Sequence, residues 1–121
     1  MSVDRAFLDH IQDVLAGVGP LRIKRMFGAA GIYGGELFFA VAEDDVLYLK
    51  ADAETEPLFA GAGSAPFTFE SGGETKVTHF WTMPEAALDD PEEAVHWARL
   101  ALDVAARAAA KKRRKPSRPA P

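Results

Sequence analysis

Residues 21–50, LRIKRMFGAAGIYGGELFFAVAEDDVLYLK, decide the fold. From Leu21 the hydrophobic period is two: Leu21-Arg22-Ile23-Lys24 alternates, and Gly31-Ile32-Tyr33 runs into Gly34-Gly35, a hairpin signal. Glu36 to Val41 reads as the next strand, Glu43-Asp44-Asp45 as a polar turn, and Val46 to Lys50 as a strand of residues suited to a pleated surface. None of these connections is long enough for a helical crossover, so the segment must be an antiparallel meander.

Outward from the meander the pattern changes on both sides. Residues 3–16 read as a helix: Val3, Phe7, Ile11, Val14 and Val18 form one apolar stripe, and Gly17, Gly19 and Pro20 end it. Asp4 lies at the start, where the helix dipole favours a negative charge. After the meander, residues 52–60 suggest a short helix capped by Asp52 and weakened by Pro57. Residues 66–70 and 75–81 read as a second hairpin around Ser71-Gly72-Gly73, with Pro66 at the start of an edge strand. The final helix opens with Asp90 as N-cap, Pro91 in the first position and Glu93 three residues after the cap. Its polar stripe is Glu92, His96, Arg99, Asp103 and Arg107, with i,i+4 pairing expected among the charges and between His96 and Glu92. The remaining apolar arc exceeds half the circumference, so a second element or another subunit should cover it; a homodimer is the expectation. The whole reads as an α+β fold of two layers, an antiparallel sheet of about six strands packed by an N-terminal and a C-terminal helix.

The chain has 121 residues, room for one core. Residues 1–106 carry all 18 acids and seven of the 14 bases, whereas residues 107–121 carry the other seven bases and no acid. This divides the chain into an acidic domain, 1–106, and a basic tail, 107–121, that continues the last helix and of which KKRRKPSRPAP is too poor in apolar side chains to order itself. With no cysteine, disulfides, thiolate nucleophiles and iron–sulfur clusters are excluded. No apolar run approaches the ~20 residues that span a bilayer, and no basic-then-apolar leader opens the chain, so a soluble cytoplasmic protein without membrane partners is expected.

Few residues point to chemistry. Gly28, Gly31, Gly34 and Gly35 lack the Lys-Ser or Lys-Thr of a phosphate loop and connect strands, which is the setting of turn and bulge glycines. Glu93-Ala94-Val95-His96 has the Glu-x-x-His spacing of di-iron bundles, but a second copy and two further carboxylates are missing, and neither His10 nor His79 shares a ligand spacing with it. Neither a metal nor another cofactor is expected. No serine sits in a nucleophile elbow, and Asp44-Asp45 and Asp89-Asp90 stand where turn and cap residues stand, so no catalytic residues are assigned. Arg25 is the odd residue: alternation places it on the face of Leu21 and Ile23, where it must meet a buried acid, be displaced by a bulge, or face an anionic ligand. Lys24, Arg25, Gly28 and Gly31 are therefore the candidate ligand or partner contacts. Lys111, Lys112, Arg113, Arg114, Lys115 and Arg118 either solubilise the last helix or attract nucleic acid weakly and without sequence preference.

The ordered series Arg25-Met26-Phe27-Gly28, Gly31-Ile32-Tyr33, Phe39-Ala40, Leu47 to Asp52, Pro66-Phe67, Trp81-x-x-Pro84, Asp90-Pro91 and Trp97-Ala98 resembles the N-terminal domain of the TfoX/Sxy competence regulators, over about residues 5–106. The resemblance implies a two-layer α+β fold similar to type III secretion chaperones. It also implies a non-enzymatic transcriptional co-regulator of DNA-uptake genes that acts with the cyclic-AMP receptor protein. The family's full-length regulators carry a second, helical domain where this chain has a short basic tail, and Ala29 stands where relatives often have glycine. A sensor of small anionic ligands and an uncharacterised enzyme are the alternative readings.

Overall fold

A computed structural model describes residues 3–26 and 28–114. Six antiparallel strands form one sheet in the order β1-β2-β3-β4-β6-β5. They are β1 (Leu21–Met26), β2 (Ala29–Gly34), β3 (Leu37–Glu43), β4 (Val46–Lys50), β5 (Pro66–Ser71) and β6 (Glu74–Thr82). Three α-helices, α1 (Arg5–Val14), α2 (Glu56–Gly61) and α3 (Pro91–Arg114), pack on one face of it. The α+β expectation holds, and so does the meander, because each of the first three strands pairs with the next.

Turn chemistry sets the hairpins. The β2–β3 turn uses Gly35 at φ 62° with Glu36, not Gly34. Gly34 stays in its strand for a packing reason: a Cβ there would come within 2.9 Å of Leu102 on α3. Gly72 and Gly73, at φ 61° and 80°, form the two-residue turn between β5 and β6. In β3, Ile32 pairs with Ala40 but Tyr33 pairs with Phe38, so Phe39 is an inserted residue. That bulge lets Phe39 and Ala40 both be fully buried and still returns Phe38 to the opposite face.

The core lies between the inner sheet face and α3. Ile32, Phe39, Leu47 and Leu49 meet Ala94, Ala98, Ala101 and Ala105, whose small side chains let the helix approach closely. Asp90 caps α3, its carboxylate accepting from the N–H groups of Glu92 and Glu93. Elements of this chain flank α3 on both sides. Gly17, in the turn after α1, would meet Val95 within 3.1 Å through an added Cβ, and Phe59 of α2 stacks on Trp97 at 4.9 Å. Two flanks of the wide apolar arc are thus covered by elements of the same chain.

Several local expectations need correction. The first helix is shorter than residues 3–16, ending at Val14 before a 3₁₀ turn over Ala16–Val18. Asp52 does not start the second helix. Its carboxylate accepts from the N–H groups of Glu54 and Thr55 in a turn ahead of it, and Pro57 sits in the first helical turn, where a missing N–H costs nothing. The last helix continues into the basic tail as expected, but through Arg114, so the first four residues of KKRRKPSRPAP are helical, because Ala105–Ala110 and the lysines after it are strong helix formers. Lys115 and Arg118 lie outside the described residues. Among the described residues no helix is long and apolar enough to cross a membrane.

Candidate functional site

The four residues singled out on β1 and β2 do not converge. Lys24 and Gly31 are register partners on the outer sheet face, away from the helices, and Gly28 lies in the connecting turn at φ 81°. Arg25 points the other way. Its guanidinium donates to the Val3 carbonyl at 3.1 Å, so its partner is backbone, not a buried acid, and the side chain is exposed at the sheet edge. Alternation on an edge strand therefore separates Lys24 from Arg25, and among the described residues the two do not share one face.

The i,i+4 pairs expected on α3 are also replaced. Arg99 donates to the Gly17 carbonyl at 3.3 Å, and Arg107 donates to Asp52 at 2.9 Å. His96 stands edge-on to Trp97 at 5.7 Å and makes no ion pair with Glu92 among the described residues. Long cationic side chains on a helix flank reach loop acceptors as readily as a neighbour one turn away, and sequence spacing cannot tell which acceptor is present.

The Arg107–Asp52 pair spans an open cavity of about 650 Å³ between the C-terminal half of α3 and the segment after β4. Lys50, Glu54, His79 and Val104 also line it. Partial burial would raise the Asp52 carboxyl. The Arg107 hydrogen bond, the N–H groups of Thr55 and Glu54, and the Arg107 charge outweigh that and hold it below the usual carboxylate range. Beside the cavity, Glu56 gathers His79 Nδ1 at 2.9 Å and Trp81 Nε1 at 3.4 Å. The Asp52–Arg107 and Glu56–His79 pairs make the cluster a latch between helix and sheet. Sequence inspection missed it because its members are spread from residue 50 to 111.

The outer sheet face is different. Strand alternation brings Arg22, Tyr33, Phe38 and Phe80 into one band, and no described helix covers it. Arg22 lies 4.3 Å above the Tyr33 ring, Tyr33 is 5.2 Å from Phe38, and Phe38 is 5.5 Å from Phe80. Tyr48 and Phe67 form a second edge-to-face pair at 5.0 Å. Burial first, then the nearby Glu43 and Asp44 charges, push the Tyr48 hydroxyl pKa up. Residues 68–77 of the β5–β6 hairpin are exposed on both faces and include Phe69 at 46% and Val77 at 67% exposure.

With the fold and these surfaces in view, comparison by family model matches residues 13–105 to the TfoX N-terminal domain. The chain belongs to the TfoX N-terminal domain family. The match covers the sheet and nearly all of α3 up to the start of its basic end, and the family is not known for catalysis. No curated protein matches the chain. Among the described residues no three His, Cys, Asp or Glu side chains are grouped to hold a metal ion.

Proposed function

We propose that this TfoX N-terminal-like chain is a non-enzymatic, cytoplasmic protein-interaction module that acts as a transcriptional co-regulator of DNA-uptake genes, with the cyclic-AMP receptor protein as its partner. The family match over residues 13–105 carries the reading. The β5–β6 hairpin supports it. Beyond its pairing with β4 at Phe80–Thr82, β6 runs out with β5 as a two-stranded arm, and such an arm is marginal in water unless something packs on it. Phe69 and Val77 give a partner apolar contact on its two faces.

The test is sedimentation of the full chain with purified cyclic-AMP receptor protein and cyclic AMP. A complex is expected, weakened about tenfold by Phe69→Ser with Val77→Ser, a loss of about 1.4 kcal/mol. Absence of a complex up to the solubility limit, or one indifferent to both substitutions, overturns the reading.

A further inference from the structure

We propose that the outer face of the sheet binds single-stranded nucleic acid, with bases stacking on Tyr33, Phe38 and Phe80 and phosphates meeting Arg22, Lys24 and Lys50. Charge distribution is the first ground. Register places four of the seven bases of residues 1–106 on this face, namely Arg22, Lys24, Lys50 and Lys76, but only Glu43 and Glu74 of the 18 acids. Lys76 is paired with Glu74 at 3.1 Å, out on the hairpin arm. Glu43 lies at the far end of the face, next to Asp44 and Asp45 in the β3–β4 turn. The aromatic band thus keeps Arg22, Lys24 and Lys50 beside it and no acid within it. Everywhere else the domain is strongly acidic and repels a polyphosphate, so a nucleic acid can approach only here or at the basic end of α3.

Ring geometry is the second ground. Three aromatic side chains follow one another at 5.2 and 5.5 Å across β2, β3 and β6, each partly exposed. An open antiparallel sheet with aromatic rings flanked by cations is a stacking platform for unpaired bases, whatever their sequence. The alternatives use less of what is present. A second copy laid face to face would oppose Arg22, Lys24 and Lys50 to their own counterparts. An acidic peptide would satisfy the cations and leave the rings without planar partners. A duplex keeps its bases out of reach of the rings.

The probe is a fluorescein-labelled 12-nucleotide oligothymidylate, with its oligouridylate counterpart to separate DNA from RNA, titrated with the full chain and read by anisotropy. Tyr33→Leu, and separately Phe80→Leu, are expected to weaken binding about tenfold, as loss of one stacked base does. Lys24→Gln with Lys50→Gln is expected to flatten the salt slope by about 1.4, the value for two single-strand phosphate contacts. These lysines lie outside the core, so the charge variant keeps the test valid if a ring variant does not fold. Lys111→Gln with Lys112→Gln is expected to leave the ring dependence intact. The proposal fails if the face variants bind like the parent and only the α3 variant loses affinity, if polyglutamate competes as well as the oligonucleotide, or if neither oligonucleotide binds.

Discussion

The two faces of this sheet are built from the same strands and are both rich in apolar side chains, yet they are different materials. On the inner face Ile32, Phe39, Leu47 and Leu49 are sealed under α3 and carry no charge. On the outer face Tyr33, Phe38, Tyr48, Phe67 and Phe80 stay partly exposed, and cations stand between them. The inner face holds the fold together. The outer face contributes little to that and is left available for contact.

Substitutions should separate the two faces by energy. Phe59→Ala, which empties the fully buried site against Trp81 and Trp97, is expected to cost about 3–5 kcal/mol in urea unfolding. A cost below about 1 kcal/mol would mean that α2 is not part of the core. Asp52→Ala, at the latch joining the inner-face helix to the sheet, should cost about 1–2 kcal/mol through lost N–H acceptors. This second effect carries a pH signature. The folded Asp52 carboxyl lies below its unfolded value of about 3.9, so its stabilisation is complete above that pH and is lost as pH falls through the folded value. The gap between parent and Asp52→Ala should therefore narrow only below about pH 4; narrowing on the alkaline side would contradict the assignment.

Outer-face changes should be smaller. Tyr33→Leu removes a cross-strand ring pair and the Arg22 contact and is expected to cost about 0.5–1 kcal/mol in the same urea assay. A loss comparable to Phe59→Ala would erase the distinction between the faces. Arg25→Met should change stability least, by about 0.5 kcal/mol, since a single part-buried hydrogen bond to the Val3 carbonyl is lost. A larger drop would show that the edge of β1 is anchored by that arginine.

Much of this organisation was legible in the residues. The period-two runs from Leu21 to Lys50 announced the meander, Ser71-Gly72-Gly73 the second hairpin, and Asp90-Pro91 the start of α3. Pattern failed where two states satisfy the same local rule. Gly34 looks like a turn residue beside Gly35, and only the approach of Leu102 explains its place in the strand. Arg25 falls on the core parity of β1, but β1 is an edge, so its side chain runs past the core to the Val3 carbonyl. The Arg107–Asp52 latch joins positions 55 residues apart, and no spacing signals it.

By itself, then, the amino-acid order determined the elements, their order and the acidic-to-basic division of the chain, because period, caps and turn residues act over a few neighbours. Tertiary structure alone decided which strand became the edge, which face the helices chose, and that Arg22, Tyr33, Phe38, Lys50 and Phe80 share one surface. Those outcomes depend on strand order, register and a single inserted residue at Phe39, all set by packing between segments far apart in the chain.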